Sequence, residues 1–148
     1  MIEQDTIRLL RECDSGIQMG ISAIDDVLDR VNDDTFRGML NECMAKHEKL
    51  KNEIVQELNR FKDEGKEPPA AAKAMSKMKT GIKMAIHDDD ATIAELITDG
   101  CNMGIKSLSR YLNKYEAASE NSKDIAKRLI ALEEELSCEI RFYTKHWG

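Results

Sequence analysis

Few residues in this chain of 148 have side chains that could bind a metal ion or hold a proton inside a folded core. His47 falls on a line of apolar residues spaced three and four apart, which marks the buried face of a helix. Glu133 stands three residues before Leu136, on the matching line of a later segment. An imidazole and a carboxylate can together bind iron, manganese or zinc, or they can form a buried hydrogen bond. These two residues therefore predict either a metal site or a polar contact in the core.

Other kinds of reactive site are not indicated by the sequence. It has no glycine-rich phosphate loop, no Ser-His-Asp set and no cleft of paired carboxylates, and its serines and cysteines have no obvious base partner. Hydrolase and thiol chemistry are therefore not expected. The four cysteines lack C-x-x-C pairing and are expected to be reduced and mostly buried, without a zinc knuckle or a disulfide: Cys13, Cys43, Cys101 and Cys138.

The composition indicates one helical domain. The chain is 41% hydrophobic and 34% charged, with only two prolines, and it is rich in helix-forming residues. Its net charge is -6 and its basic residues are spread among acidic ones, which disfavours nucleic-acid binding. No run of apolar residues is long enough to span a membrane or act as a leader, so we expect no membrane insertion and a cytoplasmic location.

Apolar residues spaced three and four apart predict four long helices, over about residues 7–31, 36–61, 93–115 and 125–147. Short polar turns at 31–35 and 119–122 join them in pairs, and a short turn makes its two helices antiparallel neighbours. Asp33 or Asp34 is the expected N-cap of the second helix, and the aspartates at 88–90 are expected to start the third.

One long connection separates the two pairs of helices. Residues 62–73 contain Gly65, Pro68 and Pro69, which stop a helix, and a shorter apolar stripe with a lysine-rich face follows. About 25 residues, partly helical, reach roughly 50 Å, so this connection can return the chain to the far end of a long helix. We expect the second and third helices to run in the same direction. The prediction is a single domain over 1–148, with a first hairpin at about 4–64, a crossover containing a short helix at about 65–88 and a second hairpin at about 89–147.

The first and third helices carry an internal repeat. Residues 16–24 read GIQMGISAI, and residues 100–108 read GCNMGIKSL, with Gly, Met, Gly and Ile at equivalent positions 84 residues apart. The fourth helix repeats the second at an offset of 89. Two helical hairpins joined by a long crossover resemble the ferritin-like superfamily over nearly the whole chain, and more narrowly its small, uncharacterised bacterial members. The resemblance implies an all-α four-helix bundle whose two antiparallel hairpins are related by a pseudo-twofold axis.

The resemblance also implies a place for a metal centre. In the metal-binding members, helices one and three each supply a Glu, and helices two and four each supply a Glu-x-x-His, which together hold two metal ions. Here Gln18 and Asn102 stand where the two Glu residues would be, and Met44 stands three residues before His47. Neutral amides leave the charge of two cations uncompensated. The di-iron site is therefore expected to be degenerate, with only His47 and Glu133 left of six ligands.

Two interpretations of this level of the bundle remain open. We favour a polar cluster without metal, in which His47 hydrogen-bonds to Gln18, Asn102 or Glu133 and fixes the register of the helices. The alternative is a remodelled iron or zinc site, because Cys43, Asp99 and Cys101 lie within a helical turn of these residues. A shift in phase on the fourth helix would replace Glu133 by the pair Glu135 and Cys138, which the apolar stripe supports less well.

The glycines of the repeat predict close helix packing. Each glycine inside a helix costs about 1 kcal/mol relative to alanine, so something must offset that cost. Small residues one turn apart allow two backbones to approach, and helices one and three are neighbours in the expected fold. We expect the two helices to pack closely at Gly16, Gly20, Gly100 and Gly104.

These observations predict a protein that is not an enzyme. The expected role is that of a bacterial, cytoplasmic, ferritin-like protein that acts through contacts with another protein or as a homodimer, with no cofactor. The alternative is a metal-binding protein of the oxidative-stress or storage type, holding iron, manganese or zinc at the mid-bundle level.

Overall fold

The computed structural model describes residues 2–68 and 89–144. This part of the chain forms four α-helices and a short 3-10 helix, and it contains no strand. The helices are α1 (Ile2–Leu28), α2 (Asp34–Arg60), α3 (Asp90–Lys114) and α4 (Glu120–Ile140), followed by the 3-10 helix Arg141–Tyr143. The all-helical prediction is confirmed for these residues. The connecting helix predicted near 71–86 and the end of the second hairpin at 145–147 lie outside the described residues.

Three of the helices begin at polar caps. The side chains of Asp33, Asp89 and Ser119 accept hydrogen bonds from backbone N–H groups three residues later, at 2.8, 2.8 and 3.2 Å. These bonds satisfy N–H groups that have no partner inside the helix. The prediction of a turn over 119–122 is wrong, because Ser119 caps α4 and the following residues are already helical.

Contacts between the turns fix the directions of the helices. Asp90, at the start of α3, accepts hydrogen bonds from the backbone N–H groups of Asn32 and Asp33, just beyond the end of α1. Thr6, near the start of α1, accepts one from the N–H of Ser119, beyond the end of α3. Helices α1 and α3 are therefore antiparallel, and α2 and α3 run in the same direction. The connection between α2 and α3 joins opposite ends of the molecule, as the crossover prediction requires.

The four helices pack side by side around a core with two apolar halves. Helix α1 contacts α2, α3 and α4, and α2 also contacts α4. One apolar half includes Ile24, Cys43, Cys101 and Leu136, and it lies towards the α1–α2 turn. The other half lies towards the α3–α4 turn and includes Ile17, Leu50, Leu108 and Leu129. On every helix the nearest buried members of the two halves are seven positions apart, with six residues between them.

The chain beyond α2 is tied to α1. The backbone N–H of Lys66 donates a hydrogen bond of 3.0 Å to the buried carboxylate of Asp14. Gly65 has a φ of +85°, and a Cβ atom there would lie only 2.4 Å from an Asp14 carboxylate oxygen. Only glycine fits this position without strain. Arg11 adds an ion pair with Asp63 at 2.7 Å.

Among the described residues, no helix is long and apolar enough to cross a membrane.

Candidate functional site

A polar layer fills the gap between the two apolar halves. Each of the four helices contributes one residue to it: Gly20 from α1, His47 from α2, Gly104 from α3 and Glu133 from α4. His47 is fully buried, and Glu133 is only 7% exposed. The two glycines hold equivalent positions in the repeat. In each hairpin, therefore, the first helix contributes a glycine to the layer and the second helix contributes a large polar side chain.

The hydrogen bonds of His47 determine how many protons the layer holds. Its Nδ1 lies 2.9 Å from the carbonyl oxygen of Cys43, and its Nε2 lies 2.8 Å from Oε1 of Glu133. A carbonyl oxygen only accepts, so Nδ1 must carry a proton. One further proton then lies between Nε2 and Oε1. The pair is either an imidazolium with a carboxylate or a neutral imidazole with a carboxylic acid, and in both forms its net charge is zero.

The surroundings favour the charged form of this pair. Burial alone would lower the pKa of His47, but the hydrogen bonds and charges of Cys43 and Glu133 outweigh burial and raise that pKa to about 10. An imidazolium held between a carbonyl and a carboxylate retains its proton through the physiological range. The expected contact between His47 and Glu133 is therefore present, and it is a buried ion pair.

The glycines make room for this pair. A Cβ atom on Gly20 would lie 3.0 Å from Cδ2 and Nε2 of His47, which is tighter than nine in ten real Cβ contacts. At Gly104 the nearest atoms would belong to Glu133, at 3.8 to 3.9 Å. The glycines of α1 and α3 at this level thus face the two polar side chains.

The prediction of close backbone packing at all four glycines is not supported. A Cβ atom on Gly16 would meet only a Leu129 methyl group, at 3.9 Å, and one on exposed Gly100 would meet nothing within 4 Å. Gly16 and Gly100 precede the polar layer by one turn, so they do not face it. In each pair of glycines, only the second has a role in the site.

Two of the expected cluster members lie elsewhere. Asn102 is exposed and lines a surface depression of about 190 Å³ with residues of α3, α4 and the 3-10 helix. Gln18 is half-buried, and the hydrogen bonds of His47 go to Cys43 and Glu133 instead. Both amides directly follow a buried residue, Ile17 or Cys101, and the next position on a helix points about 100° away.

Sequence reasoning placed Cys43 and Cys101 near this level only as possible metal ligands, and the structure gives them other contacts. Sγ of Cys43 lies 3.4 Å from Nδ1 of His47, and burial together with the nearby Glu133 charge raises the pKa of the Cys101 thiol. The expectation that no cysteine has a base partner is therefore wrong for Cys43. Its spacing of four from His47 was the available signal, because residues four apart stack on one helix face.

The side chains of Cys43, His47 and Glu133 do not converge on one point. Cys43 and Glu133 lie at opposite nitrogens of the His47 ring, so one ion could not bind all three side chains. Within residues 2–68 and 89–144, no three His, Cys, Asp or Glu side chains converge as metal ligands. Three of the other candidates point outward: Asp99 and Cys138 are exposed, and Glu135 pairs with Lys46 at 2.9 Å.

A shallow groove between α2 and α4 reaches Cys43, one helical turn from the polar layer, from outside. Its depression has a volume of about 10 Å³, enough for about one water molecule. It is lined by Met39, Glu42, Cys43, Lys46, Leu132, Glu135, Leu136 and Glu139. Cys43, at 7% exposure, is thus the member of the Cys43, His47 and Glu133 set that also borders the groove.

No family model, curated protein or solved structure matches the chain. Its function is therefore inferred from the geometry of these residues.

Proposed function

We propose that this chain is a bacterial, cytoplasmic, ferritin-like protein that is not an enzyme and that acts through contacts with a protein partner or a second copy of itself. The directions of the helices support the ferritin-like part of the proposal. Helices α1 and α3 are antiparallel neighbours, and α2 and α3 run in the same direction at the ends of a long connection. Two hairpins joined by one long crossover are the plan of that superfamily.

Equivalent contacts in the two hairpins support the pseudo-twofold. Thr6 and Asp90 are 84 residues apart, like the two copies of the repeat, and each accepts backbone hydrogen bonds from the turn of the other hairpin. Gly20 and Gly104 have the same separation, and a Cβ atom on either would have Glu133 within 4 Å. The sequence repeat therefore coincides with a repeat of contacts.

The His47–Glu133 hydrogen bond is the observation that carries the non-catalytic part of the proposal. Ferritin-like enzymes need several carboxylates and imidazoles free to bind two ions, whereas here one imidazole and one carboxylate neutralise each other inside the core. A buried polar pair of this kind can fix the register of packed helices. Its role in this proposal is to align the four helices.

Exposed apolar side chains suggest where contacts form. Phe142 is 75% exposed on the 3-10 helix and Met103 is 68% exposed on α3, which are high values for large apolar residues. Phe142 packs edge-on against Tyr143, which stacks on buried Phe36 at 4.5 Å. An aromatic side chain held in this way by the core is suited to a protein contact.

Sedimentation of the purified protein over a range of concentrations tests self-association. We expect a concentration-dependent dimer that is weakened by Phe142→Glu and unaffected by Val55→Glu, a matched change at another exposed apolar residue. A strictly monomeric protein would reject self-association and leave a different protein as the partner. Equal effects of the two changes would exclude Phe142 from the interface.

A metal-binding function is the second candidate, because an imidazole nitrogen and a carboxylate oxygen lie only 2.8 Å apart. An ion of iron, manganese or zinc would have to replace the proton between them. Elemental analysis of protein purified without a histidine tag or chelators distinguishes the two functions. Stoichiometric metal that is lost on His47→Ala would overturn the non-catalytic proposal.

A further inference from the structure

Cys43 differs from the other two buried cysteines in its neighbour. Burial raises the pKa of the Cys13 thiol to about 12, and burial together with the Glu133 charge raises that of Cys101 far above its usual range. Both are therefore held as thiols, and the thiolate is the nucleophilic form of cysteine. Sγ of Cys43 instead lies 3.4 Å from the imidazole Nδ1 of His47.

A nucleophile, an imidazole and an orienting carboxylate lie in contact one after another, and they belong to Cys43, His47 and Glu133. Glu133 holds Nε2 of the ring, and the proton on Nδ1 is directed between the carbonyl oxygen and Sγ of Cys43. An N–H group and a positively charged ring beside a sulfur are the surroundings in which reactive cysteines are found. The carboxylate fixes the ring and keeps it charged, as the third member of such a set does.

The groove between α2 and α4 determines which reagents can reach this sulfur. The depression beside Cys43 has room for about one water molecule, so only very small reagents fit without moving a helix. Three carboxylates line it, those of Glu42, Glu135 and Glu139, with Lys46 paired to Glu135. Their negative charge repels anions. A small neutral oxidant is the reagent that fits both the size and the charge.

We propose that Cys43 is a site of oxidation to sulfenic acid by hydrogen peroxide. The thiolate attacks one peroxide oxygen, the S–O bond forms as the O–O bond breaks, and hydroxide leaves. Hydroxide takes up a proton equivalent to the one that the thiol released to solvent, so the products are Cys43 sulfenic acid and water. Sulfur loses two electrons and the peroxide gains them. This is a single modification without turnover, and it does not depend on the proposed function.

Trapping of the sulfenic acid that forms in the folded, full-length protein tests the proposal. The folded protein is treated with hydrogen peroxide for increasing times and the peroxide is removed with catalase. Denaturant containing dimedone is then added, so that dimedone need not enter the groove, and the labelled cysteines are identified by peptide mass spectrometry. We expect Cys43 to be labelled about tenfold or more faster than exposed Cys138, because the imidazole of His47 lies 3.4 Å from the Cys43 sulfur, whereas the sulfur of Cys138 has a longer contact of 3.8 Å with the Arg141 guanidinium. Cys13 and Cys101 should remain unlabelled, because reagents reach them only when the protein unfolds.

Two wild-type results would overturn the proposal. One is labelling of Cys43 no faster than Cys138, and the other is labelling of Cys43 at the same rate as Cys13 and Cys101, which would place the reaction in the unfolded chain. The change Cys43→Ser should remove the fast phase seen by intact mass, whereas Cys138→Ser should retain it. A fast phase that persists in Cys43→Ser would also contradict the assignment.

The contribution of Glu133 is measured with a shape-conserving change. Glu133→Gln should slow labelling of Cys43 about tenfold, because the ring loses the carboxylate that keeps it charged. Its exposed neighbour provides the matched control, and Glu134→Gln should leave the rate unchanged. Equal rates in the two variants would show that the pair does not activate the sulfur. The wild-type and serine measurements decide the proposal if Glu133→Gln fails to fold.

Discussion

At the scale of single residues, the buried ion pair of His47 and Glu133 is the most sensitive point of the core. Removing one partner leaves a buried charge without compensation, which costs about 3–5 kcal/mol, whereas replacing both by apolar residues is often close to neutral. We expect Glu133→Ala to lower the free energy of unfolding by about that amount, measured with urea. The combination of His47→Leu with Glu133→Leu should recover most of the loss. A combined variant as unstable as the single one would show that the pair contributes more than mutual neutralisation.

The same pair should make stability depend on pH in one direction. The pKa of His47 is raised in the folded state to about 10, above its unfolded value of about 6.5, so the folded protein binds an extra proton between these values. The stabilisation is complete below about pH 6.5 and is lost as the pH rises through about 10. Unfolding free energies measured from about pH 6 to about pH 9.5 should therefore fall more steeply for the wild type than for the double leucine variant. Parallel curves would contradict a raised pKa.

Sequence reasoning located this pair but not its surroundings. The apolar spacing placed His47 on the buried face of its helix and favoured Glu133 over Glu135, which is exposed. The position of Asn102 was wrong because neighbouring helix positions differ by about 100°, and inward-facing Cys101 takes the place beside it. Stripe patterns fix the buried face of a helix, but they do not fix which polar residue at its edge turns inward.

At the scale of helices, substitutions at the glycines of α1 and α3 test whether these residues are needed to leave room for the polar side chains. Gly20→Ala places a Cβ atom 3.0 Å from the His47 ring, which two hydrogen bonds hold in place, so the change should destabilise the protein by about 1–3 kcal/mol. Gly100→Ala meets no atom within 4 Å and should stabilise it by about 0.5–1 kcal/mol through helix propensity. Thermal or urea unfolding of the two variants measures both effects.

Gly16→Ala is the control for that comparison. Its Cβ atom would make an ordinary contact of 3.9 Å with Leu129, so it should behave like Gly100→Ala and not like Gly20→Ala. If all three changes stabilise the protein, the ring can move aside and Gly20 is not required by the site. If all three destabilise it, the close-packing interpretation of the repeat would be restored.

The helices themselves were largely predictable, since their apolar spacing and caps act locally. Asp33 was one of two predicted caps, and the aspartates near 90 began α3 as expected. The second turn was predicted too late because its polar residues are also good first-turn residues. Ser122 is buried and donates a hydrogen bond of 2.8 Å to the carbonyl of Ser119, which helical geometry brings within reach.

At the scale of the molecule, the common direction of α2 and α3 followed from the length of the connection alone. The division of the core into two apolar halves around one polar layer could not be predicted in the same way, because it depends on which levels of four separate helices coincide. The repeat marked that level on α1 and α3, and the structure adds His47 and Glu133 from the other two helices. In the function proposed above, the layer that divides the core also aligns the hairpins, so the fold and the site would share one cause.

The two ends of the molecule provide a test of whether the hairpins fold as one unit. Asp90 accepts two backbone hydrogen bonds from the α1–α2 turn, at 2.8 and 2.9 Å, and Thr6 accepts one of 2.8 Å from Ser119 at the opposite end. Asp90→Ala should cost about 1–3 kcal/mol and Thr6→Val about 0.5–1.5 kcal/mol. Sites at opposite ends of a helix of about 40 Å share no partners, so the double variant should show the sum to within about 0.5 kcal/mol and a single urea transition. A second transition that appears in Asp90→Ala alone would mean that the hairpins unfold separately, and the polar layer would then not couple the two halves of the bundle.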